Sequence, residues 1–123
     1  MKQDLAAKSV LIIDDDANFG KIMTKMGPRV ALSMHAVTSL GDLPHDGPIQ
    51  DADIILVDYD LEDMTGLEVA EILNNFYPGK PVIMISSTNR PVQEQTLNLP
   101  NVAGFASKWQ SPHEFLYRVR EFV

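Results

Sequence analysis

Four apolar runs in this chain are continuous rather than alternating: Val10-Leu11-Ile12-Ile13, Ile54-Ile55-Leu56-Val57, Pro81-Val82-Ile83-Met84-Ile85 and the shorter Ala103-Gly104-Phe105-Ala106. A strand with one wet face alternates apolar and polar residues. A strand that is apolar at every position must be covered on both sides, as in parallel sheets whose crossover connections lay helices on either face. A weaker fifth segment, Val30 to Val37, is broken by Ser33 and His35 and suits an edge strand.

Between these runs the period becomes helical. Leu67, Val69, Ala70, Ile72, Leu73 and Phe76 form a wide apolar face, opened by the capping box Thr65-Gly66-Leu67-Glu68 and stopped by Pro78-Gly79. A second capping box, Ser111-Pro112-His113-Glu114, opens a last helix that buries Phe115, Leu116, Val119 and Phe122. A shorter helix is predicted from about Ala17 to Met26, with Asp16 as N-cap and Gly27-Pro28 as its end. Pro44, Gly47 and Pro48 leave room only for a short or distorted helix between Thr38 and Asp51, and Arg90 to Pro100 offers about two turns. Residues 1–7 read as a tail. The remaining 8–123 read as one α/β domain, a doubly wound parallel sheet of five strands with helices on both faces and right-handed crossovers.

In such a sheet, ligands bind outside the carboxyl ends of the strands. The first run ends in Asp14-Asp15-Asp16, the third strand in Asp58, the fourth in Ser86-Ser87 and the fifth in Ser107-Lys108. The chain's net charge of −7 has the same origin. Seven acids lie in two short segments, Asp14 to Asp16 and Asp58, Asp60, Glu62 and Asp63, and the rest of the chain is balanced at ten acids against ten bases. An acidic balance argues against nucleic acid or anionic membrane as a partner. The absence of cysteine excludes disulfides, thiolate metal sites and a thiol nucleophile. Nothing at the N-terminus reads as a signal peptide and no apolar stretch approaches the ~18 residues of a membrane span, so a cytoplasmic protein is expected.

Three carboxylates within a few ångströms repel one another, and a hard divalent cation relieves the repulsion. Mg²⁺ takes oxygen ligands and typically keeps one or two carboxylates, several waters and phosphate oxygens. Asp14, Asp15 and Asp58 suit that role, with a backbone carbonyl from the loop after Asp58, placed at Asp60. A carboxylate beside such a cation can act as nucleophile toward a phosphoryl group, whose oxygens then need neutralising. Asp58 is the candidate nucleophile, with the Lys108 ammonium and the Ser86 hydroxyl as the neutralising groups.

This constellation resembles the receiver domain of two-component response regulators, of the single-domain, chemotaxis-regulator kind, over about Lys8 to Val123. The likeness rests on the acid pair Asp14 and Asp15, the acceptor Asp58, a glycine eight residues later (Gly66), Ser86, the aromatic Phe105, and Lys108 three residues beyond it. The resemblance implies a flavodoxin-like sheet of order 2-1-3-4-5 and phosphorylation of Asp58, with Mg²⁺, by a histidine kinase or phosphotransfer protein. It implies that Ser86 and Phe105 reorient on modification. The signal would then pass to a downstream protein or to an output domain outside this sequence. Self-phosphorylation and self-dephosphorylation are implied, rather than turnover.

Two positions depart from the family pattern. Trp109 follows the lysine where proline is usual, and Glu62 stands four residues after the acceptor where proline is common. Trp109 and the irregular Thr38 to Asp51 segment leave open a degenerate receiver that acts by protein binding alone. Asp58-Tyr59-Asp60 also resembles the Asp-x-Asp motif of haloacid dehalogenase phosphatases. In that family, however, the second acid pair follows the lysine, whereas Asp14 and Asp15 precede it.

Overall fold

The computed structural model describes residues 7–87, 98–108 and 110–123. Five parallel strands, β1 (Lys8–Ile13), β2 (Leu32–Val37), β3 (Ile54–Asp58), β4 (Val82–Ser86) and β5 (Val102–Ser107), form one sheet in the order β2-β1-β3-β4-β5. The predicted class and strand order are both present. The order reverses between β1 and β3, so the carboxyl ends of these two strands flank the switch point. Ile13 pairs with Val57, Asp58 with Ile85 and Ser86 with Ser107, which levels the polar strand ends along one edge.

The continuous apolar runs divide between two cores. On one face Val10, Ile12, Ile54, Leu56, Ile83 and Ile85 pack with Met23 of α1 (Ala17–Met26) and with Phe115, Leu116 and Val119 of the C-terminal helix. The opposite face sets Leu11, Ile13, Ile55, Val57, Val82 and Met84 against Ile49 of α2 (Gly47–Asp51) and Val69, Ala70 and Leu73 of α3 (Gly66–Phe76). Each central strand thus has both of its side-chain rows buried, as the absence of alternation requires.

The cap signals hold. Asp16 accepts from the Phe19 N–H, and Thr65 and Ser111 form complete capping boxes with Glu68 and Glu114. The C-terminal helix, Pro112–Glu121, is called α4 below. Between Thr38 and Asp51 there is one 3-10 turn, Leu40–Asp42, and the five-residue α2, as the prolines and glycine dictate.

Two boundaries differ from expectation. The edge strand begins at Leu32 rather than Val30, because Gly27–Val30 close a 3-10 turn and Ala31 adopts a left-handed φ of 59°. Phe76, expected on the buried face of α3, is 73 % exposed. It is the last residue of the helix, beyond the reach of the sheet, and half-buried Tyr77 packs on the core in its place. Most of Arg90 to Pro100, and Trp109, lie outside the described residues. No helix among the described residues is long and apolar enough to cross a membrane.

Candidate functional site

Asp14 follows β1 directly and Asp58 closes β3, and both are buried, at 2 % and 3 % exposure. They are held in the same way. The Asp16 N–H donates to Asp14 Oδ1 at 2.9 Å and the Asp60 N–H donates to Asp58 Oδ1 at 3.1 Å. Each is a side-chain turn onto the amide two residues ahead, a conformation that aspartate favours. The remaining oxygens face Lys108, whose Nζ is 2.7 Å from Asp14 Oδ2 and 3.8 Å from Asp58 Oδ2.

Asp15 completes the acidic group. It is half-buried, and one oxygen each from Asp14, Asp15 and Asp58 lie within 4.8 Å of one another. A single ammonium cannot balance three carboxylates, and burial together with the uncompensated charge holds two of them above the usual carboxylate range. Burial, then the Asp14 charge, pushes Asp58 up to about 6, against the opposing Asp60 N–H and Lys108. Burial also raises Asp15, followed by the charges of Asp14 and Glu62, with Lys108 opposing. Oxygen-only donors with uncompensated negative charge fit a hard, oxygen-seeking cation such as Mg²⁺ rather than a soft one. Asp60 itself is exposed, and it is its backbone amide that contacts Asp58. Glu62 and Asp63 are exposed loop charges.

The other predicted site residues gather at the same edge. Ser86 is buried at the end of β4, and its carbonyl accepts from the Lys108 N–H at 2.8 Å, so hydroxyl and ammonium sit on linked backbone. Phe105, in β5, is half-buried and lies parallel to Tyr59 at 6.3 Å between ring centroids. Two contacts escape a reading of the sequence: this Tyr59–Phe105 stack, and the Phe19 ring, whose centroid is 4.5 Å from Lys108 Nζ. The available signal for Phe19 is its place three residues past the Asp16 cap, on the first turn above the acid pair.

Gly66 is required by close approach. A Cβ built there would lie 2.3 Å from the Asp58 carbonyl oxygen and 2.8 Å from the Tyr59 Cα, both of them backbone. The Gly66 N–H donates to the Tyr59 carbonyl at 3.1 Å, which closes the loop after Asp58. Gly66→Ala is therefore expected to cost about 2–4 kcal/mol of stability, because the backbone must shift to admit the methyl group. Chemical denaturation checks this, and an unchanged midpoint would show that the loop yields without cost.

The family model for the response regulator receiver domain matches residues 10–120. The chain belongs to this family. No curated protein sequence matches this receiver. Among solved structures it resembles the CheY-like receiver domain protein of Methanospirillum hungatei JF-1, at 21% identity over 95% of this chain and 94% of that one, with a TM-score of 0.76. It also resembles the chemotaxis protein CheY4 of Vibrio cholerae, at 16% identity over 96% and 100% of the two chains, with a TM-score of 0.81. A third is the response regulator TrrA of Thermotoga maritima, solved in complex with Mg(2+)-BeF, at 14% identity over 94% and 99%, with a TM-score of 0.77. At such identities the likeness is one of fold, and the receiver's chemistry rests on its own residues.

Proposed function

We propose that this receiver, residues 8–123, is a phosphorylation-driven signalling switch whose acceptor is Asp58. One observation carries the reading: a buried carboxylate at the end of β3 shares a single ammonium with a second buried acid, beside a third. Asp58 is the nucleophile. One of its oxygens bonds to phosphorus as the donor's bond to phosphorus breaks. A phosphohistidine donor releases its imidazole, and acetyl phosphate releases acetate.

Lys108 neutralises one oxygen of the arriving phosphoryl group and Ser86 donates its hydroxyl to another. Asp14, Asp15, Asp58 and the Asp60 carbonyl would hold Mg²⁺, which supplies charge neutralisation and orientation for the phosphoryl group. Because the Ser86 carbonyl is tied to the Lys108 N–H, a pull on either group is transmitted to the other. Phe105, stacked on the residue after the acceptor, reorients with Ser86 and alters the surface near β5. The phosphodonor is a cytoplasmic histidine kinase or phosphotransfer protein. The recipient is a downstream protein or an output domain, and the receiver is not a turnover enzyme. The net charge of −7 makes direct binding to nucleic acid or to an anionic membrane unfavourable.

Incubation with Mg²⁺ and acetyl phosphate is expected to add one base-labile phosphoryl group per chain, none of it in chelator. Undiminished label in Asp58→Asn would refute the acceptor. Binding of Mg²⁺ with no uptake from any donor would favour a receiver that works by protein binding. Continuous release of phosphate from a phosphomonoester would favour a phosphatase.

A further inference from the structure

We infer that Phe19 is a positioning residue of this site. Its ring is the seat that keeps the Lys108 ammonium between Asp14 and Asp58, and through Lys108 it sets the rate of phosphoryl uptake. The inference rests on the reading of Asp58 as acceptor.

An ammonium has three N–H donors. In this receiver Nζ has Asp14 Oδ2 at 2.7 Å, Asp58 Oδ2 at 3.8 Å and the Phe19 ring centroid at 4.5 Å. The lysine side chain is only 10% exposed, so the negative face of the ring acts with little water to screen it. The ring is itself fixed from two sides. The Phe19 N–H is bound by the Asp16 cap at 3.1 Å, and the ring meets Phe115 edge to face at 5.3 Å between centroids and 79° between planes. Phe115 is fully buried in the core between the sheet and α1 and α4. The position of the ammonium is thereby referred to the interior of the protein, and does not depend on the acids alone.

That independence matters because both oxygens of Asp14 are engaged, one by the Asp16 N–H and one by Lys108. Anything that competes for Asp14 displaces the ammonium from its shortest contact. With the aromatic face beneath it, the ammonium stays within reach of Asp58 when that contact is lost. It is then at hand as the bond from Asp58 to phosphorus forms, the P–O bond of acetyl phosphate breaks, and acetate leaves with the electron pair. An aliphatic side chain of similar size would fill the space without holding the charge.

The test compares initial rates of phosphoryl uptake from acetyl phosphate, per folded protein and at saturating Mg²⁺. Phe19→Leu is expected to be slower by roughly three- to thirty-fold, the range from an exposed to a desolvated cation–π contact. Phe19→Tyr restores the rate. Phe115→Leu loosens the ring from one side but leaves it facing Lys108, so it lowers the melting temperature and slows uptake less than Phe19→Leu does. In a Lys108→Met background, Phe19→Leu has no further effect. A wild-type rate in Phe19→Leu, or equal slowing by Phe115→Leu, would overturn the assignment.

A second readout needs no chemistry. The ε-methylene protons of Lys108 are expected upfield in the proton NMR spectrum and return to ordinary values in Phe19→Leu. If the wild-type protein takes up no phosphoryl group at all, the acceptor reading falls and this shift alone decides the seat. Its presence supports the seat and its absence refutes it.

Discussion

Asp58→Asn is expected to be more stable than the wild-type protein at pH 7 in chelator, by about 3 kcal/mol at most. The cause is the Asp58 carboxyl, which burial and the Asp14 charge raise to about 6 in the folded protein. In the unfolded chain an aspartate titrates near pH 4, at about 3.9. The folded state therefore holds its proton more tightly than the unfolded state. The stability gained from this preference is fully present below about pH 4 and is lost as pH rises through about 6. Asparagine is neutral throughout and loses nothing, so the gap between the two proteins should open across that window and close below it.

Adding Mg²⁺ at pH 7 should narrow or reverse the gap, since only the wild-type site keeps all three carboxylates and gains binding free energy. Denaturant titrations at several pH values, with and without the cation, measure both effects. A gap independent of pH would mean that Asp58 is not held in the buried, charge-crowded setting described above.

Lys108→Met should have the opposite sign. Lys108 is the shared counter-charge of Asp14 and Asp58, whose side chains are 0% and 4% exposed. Removing one partner of a buried ionic group leaves the other charges uncompensated, which costs about 3 kcal/mol or more. For a domain of this size that corresponds to a fall of roughly 10 °C in melting temperature at pH 7, shrinking as the medium is acidified.

The same variant should bind Mg²⁺ about tenfold more tightly, because a positive charge a few ångströms from the metal position is gone and Asp14 Oδ2 is released. Calorimetry gives the affinity and a thermal scan gives the stability. An unchanged melting temperature together with unchanged affinity would show that the ammonium does not rest on these acids in solution.

Much of this site can be read without coordinates, for a definite reason. Asp14, Asp15 and Asp58 each follow runs that are apolar at every position, and such runs must be central parallel strands whose ends meet at one edge. Ser86 and Lys108 share that logic once the strands are placed. Phe19 does not. An aromatic residue in the first turn of an amphipathic helix looks the same in sequence whether it serves the core or faces an ammonium, and here it does both. Tyr59 is hidden similarly, because stacking across from β3 to β5 depends on the register of the intervening strand. Phe76 marks the limit of periodicity, which gives direction around a helix but not the distance at which the sheet ends. The late start of β2 was set by Ala31, since the pattern of apolar residues carries no sign for a left-handed φ.

The order of the strands divides the site into two halves of unequal stiffness. The acids come from β1 and β3, each of which is hydrogen-bonded to neighbours along both of its edges. The cation comes from the end of β5, which is bonded to β4 alone. Displacing an acid means breaking two ladders, whereas displacing Lys108 loosens only one. On the switch reading proposed above, a change of charge at Asp58 would be taken up by the outer strand, with the anionic half as the anvil. A phosphorylation switch of this build would show its change along the β5 margin.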